Sequence, residues 1–151
     1  LTYNTSYHVR AYAVNGKGVG YSAYVIIKTR SSAKATIVNM TARNPSPSTL
    51  DVSATISADG GAEITERGFV YSSKGTPSVE ECEKKIVMKG TVGEIGTTLT
   101  GLTGYSNYSI RAYAINKNGT AYSNTVTART KKTDPSIDDP AFPETKTIKN
   151  K

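Results

Sequence analysis

The chain has 151 residues, a formal net charge of +7, ten Tyr against two Phe, one Cys and no Trp. That length allows one domain with a sizeable core, with or without extensions. One cysteine excludes an internal disulfide and a thiolate metal site. No apolar run approaches the ~18 residues of a spanning helix. The amino-terminal Leu-Thr-Tyr-Asn lacks a basic region and an apolar region, which places any export signal upstream. Residues 1–32 carry four basic and no acidic residues, 33–131 eleven and eight, and 132–151 four of each. The basic residues stand singly along the chain instead of forming a stripe that tracks phosphates, so nucleic acid is not an expected partner.

In chain order, the first element is also the most informative. Residues 1–30 align without a gap onto residues 102–131, an offset of 101, with thirteen of thirty positions identical. These include Leu1/Leu102, Tyr7/Tyr108, Arg10/Arg111, Ala11/Ala112, Tyr12/Tyr113, Asn15/Asn116, Gly18/Gly119, Ser22/Ser123 and Thr29/Thr130. A period near 100 residues is the size of one β-sandwich. In the second copy Tyr108, Ile110, Ala112 and Ala114 share one parity and Ser109, Arg111 and Tyr113 the other, the alternation of a half-buried strand. Asn116-Lys117-Asn118-Gly119 then supplies a turn, and Ala121 to Thr130 a second strand. The repeated unit is therefore a β-hairpin. An isolated hairpin is marginal in water, so the first copy is expected either to be poorly ordered or to add to an exposed sheet edge, in this chain or in a neighbouring molecule.

Between the copies, Thr36–Thr41 predicts a strand that Asn44-Pro45-Ser46-Pro47 ends. Thr49–Ser57 places Leu50, Val52, Ala54 and Ile56 on one face, the clearest strand of the chain. Asp59-Gly60-Gly61 signals a tight turn. Ile64–Ser73 is the next strand, with Phe69 and Tyr71 inward; Lys74–Glu83 is a loop; Ile86–Lys89 and Gly96–Thr100 are short strands. Seven short strands and no convincing helix predict an all-β, antiparallel Greek-key sandwich. The proline-bearing segment 132–151 reads as a linker or disordered tail. The organisation expected is thus a truncated repeat over 1–31, a complete domain over 35–131, and the tail.

The chemistry-bearing residues form no catalytic set. A Ser-His-Asp triad needs a histidine, and the single one, His8, falls on an outward parity. Cys82 lies among Glu80, Glu81 and Glu83, which raise a thiol's pKa. Those carboxylates and Asp138/Asp139 read as solvated charge on a loop and a tail. Asp59-Gly60-Gly61 lacks the alternating oxygen ligands of a calcium loop. No metal and no cofactor are expected. The most suggestive surface feature is Arg111 with Tyr113, mirrored by Arg10 with Tyr12, which parity places outward on a sheet face. Arg and Tyr are enriched where proteins bind partners, and tyrosine stacks on sugar rings. Cross-strand packing of the Arg stem on an aromatic neighbour is the competing reading.

The run Leu102-x-Gly104-x-Ser106-x-Tyr108-x-Ile110, followed by Ala112, Ala114, Asn116 and Gly119, resembles the end of a fibronectin type III domain. Glu66-Arg67-Gly68-Phe69-Val70-Tyr71 together with Ile110-Arg111-Ala112-Tyr113-Ala114 resembles the tandem modules of large surface lipoproteins in Bacteroides-type bacteria. The resemblance implies that Tyr108 locks the corner entering the sixth strand, with Leu102 as packing partner, and that Tyr7 and Leu1 hold these places in the partial repeat. Gly104 stands where a Pro is common, and the second strand has no Trp. The role it implies is that of a non-catalytic structural or adhesive module, extracellular or on a bacterial cell surface. Its partners would be neighbouring repeats and a protein or glycan ligand, and its membrane attachment a lipid anchor outside this stretch. The alternative is a carbohydrate-binding module that uses exposed tyrosines.

Overall fold

Strict alternation sets the first sheet. Leu50, Val52, Ala54 and Ile56 are each at most 3% exposed, and their intervening neighbours face outward. The computed structural model describes residues 1–133. Residues 1–31 form four short strands: β1 (Ser6–Val9), β2 (Tyr12–Asn15), β3 (Gly18–Tyr21) and β4 (Val25–Lys28). Then follow β5 (Thr36–Arg43), β6 (Leu50–Ala58), β7 (Ile64–Ser72), β8 (Lys84–Met88), β9 (Gly93–Leu99), β10 (Asn107–Asn116), β11 (Gly119–Tyr122) and β12 (Val126–Arg129).

Strands β5 to β12 build two antiparallel sheets. One has the order β5-β6-β9; the other runs β8-β7-β10, with β11 and β12 both along the far edge of β10. These last two are halves of one strand, interrupted where the Ser123 hydroxyl accepts the Ala112 amide at 3.0 Å and donates to the Asn124 carbonyl at 2.8 Å. Counted so, the sandwich has seven strands, and the non-consecutive pairs β6/β9 and β7/β10 carry the chain from sheet to sheet in the expected Greek-key manner. Its core packs Leu50, Val52, Ile56, Ile95 and Leu99 against Phe69, Tyr71, Ile110, Ala112 and Ala114. Each large apolar side chain so buried is worth about 1.5–3 kcal/mol.

Strand β5 runs on to Arg43, past the expected Thr41, and β8 begins at Lys84, ahead of Ile86. Strand β9 begins at Gly93, earlier than position 96, because Ile95 reaches the core at 4% exposure although its flanks are polar. Strand β5 carries a bulge between Val38 and Thr41, where Asn39 takes a φ of 55° that asparagine tolerates.

The amino-terminal hairpin pairs β1 with β4 and β2 with β3. Among the described residues its strands pair only with one another, so it is a regular hairpin that adds to no edge of this chain's own sandwich, one of the places expected above. The reason lies in the linker: the Ala33 amide donates to the Gly60 carbonyl at 2.7 Å, which holds the hairpin at one pole, away from the strand edges. Its apolar residues stay in water, Val9 at 47% and Val25 at 64%, whereas the counterpart of Val9, Ile110, is fully buried. The segment expected to be a tail lies, from residue 134 onward and including Asp138 and Asp139, outside the described residues.

Candidate functional site

The corner of the sandwich comes first because the site hangs from it. The Tyr108 hydroxyl accepts the Thr103 amide at 2.9 Å, its ring is 2% exposed and stands edge-on to Tyr71 at 5.7 Å, and Leu102 is 6% exposed beside it. Thr130 completes the corner: its hydroxyl donates to the Thr103 carbonyl at 2.6 Å and accepts the Ser106 amide at 3.0 Å. The first copy reproduces each bond. Tyr7 accepts the Thr2 amide at 2.7 Å, and Thr29 donates to the Thr2 carbonyl at 2.6 Å and accepts the Thr5 amide at 3.0 Å. Ser22 accepts the Ala11 amide at 3.0 Å, as Ser123 does that of Ala112. The difference is cover: Leu1 is 88% exposed and Tyr7 only half-buried. Sequence reasoning passed over Thr130, Ser123 and their counterparts, although their identity at the 101-residue offset was the signal.

The outer face of the β7–β10 sheet is arranged otherwise than its parity suggested. Tyr113 does project from that face, but it is fully buried, as are Val70 and Pro77. Strand alternation specifies the face and says nothing of what lies over it. Here the segment 73–83, expected to be a plain loop, folds across the sheet. The Val79 amide donates to the Tyr122 hydroxyl at 2.8 Å, and the Arg111 guanidinium reaches the Pro77 carbonyl at 3.4 Å and the Ser123 carbonyl at 3.3 Å. Arg111 also lies 4.1 Å over the Tyr122 ring. Arg111 and Tyr122 therefore hold down a strap, and the buried Tyr113 offers no stacking platform to a sugar.

Beneath the strap the Tyr113 hydroxyl donates to Glu66 Oε1 at 2.8 Å, and Lys85 pairs with the same oxygen at 3.0 Å. Burial, followed by the bond to Glu66, pushes the Tyr113 phenol well above the usual tyrosine value. The same hydrogen bond, and then that from Lys85, holds the Glu66 carboxyl below the usual glutamate range. On the equivalent face of the first copy Tyr12 is 71% exposed, and Arg10 lies 3.8 Å over Tyr21, the same cation–ring pairing.

The remaining candidates disperse. His8 is exposed and stacks on Tyr24 at 4.8 Å. Cys82 is a half-buried free thiol lining a shallow polar groove with Ser72, Lys74, Thr76 and Glu81. Glu83, beside it, accepts both the amide and the hydroxyl of Ser73, which holds its carboxyl below the usual range. A second polar groove crosses β5, β6 and β9, lined by Asn39, Thr41, Arg43, Ser53, Thr55 and Glu94. Neither groove sets a nucleophile against a base and its orienting partner. Among the described residues no three His, Cys, Asp or Glu converge on a metal position.

A buried residue that sequence reasoning quoted without assigning a task is Arg67. At 8% exposure its guanidinium donates to the Lys89 carbonyl at 3.0 and 2.6 Å and to the Thr91 carbonyl, caging the β8–β9 turn. A Cβ at Gly90 would fall 2.2 Å from that guanidinium.

Comparison of the sequence with protein-family models and with curated proteins finds no match. Solved structures do match. The chicken CNTN1 FN1–FN3 domains are similar at a TM-score of 0.54 and 19% identity, over 87% of this chain and 45% of that one. The sensor domain of the anti-sigma factor RsgI4 from Pseudobacteroides cellulosolvens is similar at a TM-score of 0.50 and 16% identity, over 68% of this chain and 99% of that one. The chain spans under half the length of the CNTN1 structure. At such identities the likeness speaks for fold alone: with the topology above, the chain is an all-β antiparallel sandwich whose fold is fibronectin type III-like.

Proposed function

We propose that this chain is a non-catalytic structural module of a secreted or cell-surface bacterial protein, serving as a spacer and protein-interaction unit in a tandem array. Residues 1–31 are then the carboxy-terminal hairpin of one copy and 35–131 the next complete copy. The observation that carries the reading is the recurrence of one hydrogen-bond network at a fixed offset of 101 residues. The Tyr-to-amide, Thr-to-carbonyl and Ser-to-amide bonds of the second hairpin all recur in the first within 0.2 Å. Duplicated scaffolding without a converging polar site suits a part that sets distance and presents surface.

A spacer bears load, and this sandwich is suited to it. Strand β10 is held on one side by β7 and on the other by β11 and β12, so pulling the chain straight must shear ladders on both sides. Single-molecule extension between residues 1 and 133 tests this. One cooperative event releasing about 320–350 Å of chain, less the length of the folded module, is expected at ~3.3–3.6 Å per residue over 35–131. A smooth extension with no discrete event would refute the spacer reading. Tyr24, 60% exposed on the hairpin and aligned with the exposed Thr125, supports a glycan-binding reading, and a glycan array with no signal above background removes it.

A further inference from the structure

At the pole of the sandwich where the linker enters, backbone and side-chain groups together hold the chain before β5. Two turns meet there, the β6–β7 turn at Gly60–Gly61 and the β10–β11 turn at Asn116–Asn118. The Ala33 carbonyl lies between them and accepts Asn116 Nδ2 at 2.8 Å and Asn118 Nδ2 at 2.9 Å. Asn116 Nδ2 also donates to the Asp59 carbonyl at 2.8 Å, so one buried amide ties the linker to both turns. The Ala33 amide closes the clamp on the Gly60 carbonyl. Linker residue 33 thus has both backbone groups bonded to the sandwich.

The fit admits little else. Gly60 has φ +71°, and a Cβ there would stand 2.2 Å from the Ala33 carbonyl oxygen, a backbone atom that cannot give way. Gly61 lies under the ring of Tyr3, a residue of the hairpin's own corner loop; a Cβ would come within 2.7 Å of Tyr3 Cε1. Lys117 stands 5.1 Å from the centre of that same ring. The hairpin therefore touches the sandwich through its base, at a place with room for a ring and a linker.

We propose that this pole is a docking surface for the base of the preceding module, clamping the linker at Ala33 and seating Tyr3 on Gly61, so that consecutive modules meet at a fixed angle. The inference rests on reading residues 1–31 as part of a preceding module. Its residues vary between copies in a way that grades the joints. Asn15 retains the counterpart of Asn116, but Lys17 stands where Asn118 does, so the upstream pole keeps one of the two side-chain amide donors. At the base of the complete module Gly104 stands in the place of Tyr3, and the ring of that corner loop is carried one position later by Tyr105, 50% exposed.

Hydrogen exchange on the full chain tests the joint, with Asn118→Ala combined with Tyr3→Ala, since both side chains serve only inter-module contacts. In the wild type the Ala33 amide should exchange well below the free-peptide rate. In the double variant it should exchange about tenfold faster, the factor that one hydrogen bond's worth of stability represents, while amides of β6 and β10 keep their rates. An Ala33 amide exchanging freely in the wild type, or unmoved by the two substitutions, overturns the joint. Residual dipolar couplings give the angle directly: residues 1–31 and 35–131 should share one alignment frame in the wild type and separate frames in the variant. Cross-strand contacts between residues 6–9 and 25–28 report on the modular reading by itself. Their loss with Ala33 still protected sinks that reading and leaves the clamp; their presence with two frames in the wild type sinks the fixed angle and leaves the modules.

Discussion

The duplication can be tested by completing the first copy from the second. Because the offset is constant, residue 101 can be joined to Leu1 with no change of spacing, and a chain of 35–101 followed by 1–133 contains two full sets of seven strands. The structure states what the first hairpin would gain. Leu1 should fall from 88% exposed toward the 6% of Leu102, and Val9 from 47% toward the 0% of Ile110, with Tyr7, Val25 and Ile27 covered in part. At ~25 cal/mol per Å² this amounts to about 5–8 kcal/mol of apolar burial, less about 1–3 kcal/mol where Ile27 must fit the place of the smaller Ala128. Calorimetry reads the outcome. A second cooperative unit the size of residues 35–131 should add roughly 65–70 kcal/mol of unfolding enthalpy near 60 °C, at ~0.7 kcal/mol per residue. Should the enlarged chain melt with the enthalpy of one module, and the amides of residues 6–9 stay unprotected, the hairpins are look-alikes in sequence and the tandem reading fails.

Two further predictions use single side chains. Tyr108→Phe removes the hydroxyl that receives the Thr103 amide and should cost about 1–2 kcal/mol in urea unfolding, whereas Tyr7→Phe, in the uncovered copy, should leave the same transition where it was. Tyr113→Phe separates the strap's two pH effects. Tyr113 has a raised pKa in the folded state, so its contribution is complete below pH ~10 and lost as pH rises through the folded value; Glu66 has a lowered one, so its contribution is present above pH ~4.3 and lost as pH falls through the folded value. The variant should lose the steep alkaline destabilisation above pH 10 and show a shallower acid limb, both read from thermal melts across pH; an unchanged alkaline limb would show that another group sets it.

What the sequence made legible follows from how each feature is encoded. Alternation along Leu50–Ile56 and Tyr108–Ala114 is a local signal, and strand, parity and buried face could all be read from it. The turns at Asp59-Gly60-Gly61 and Asn116–Gly119 were likewise announced by residues that accept positive φ. Tyr113 shows where such reasoning stops. Its parity correctly placed it on the outer face, but its burial depends on Pro77 and Val79, more than thirty residues away, folding over it, and no periodicity within 107–116 records that cover. Arg67 was illegible for a related cause: its partners are backbone carbonyls of Lys89 and Thr91, and a carbonyl carries no side-chain signature.

The two copies separate what a hairpin owes to its own sequence from what it owes to its surroundings. Local bonds, Tyr7 to Thr2, Ser22 to Ala11 and Thr29 to Thr2, form in the first copy with the lengths of the second, although no opposing sheet presses on them. Burial does not follow: Val9 stays in water where Ile110 does not. Geometry is therefore written into the thirty repeated residues, and the driving force for holding it comes from the strands between them. A unit of that kind can be copied along a chain with each copy relying on its own five covering strands. Seventeen of the thirty positions differ between the copies, and Tyr3 against Gly104 and Lys17 against Asn118 are two of these that bear on the proposed joint.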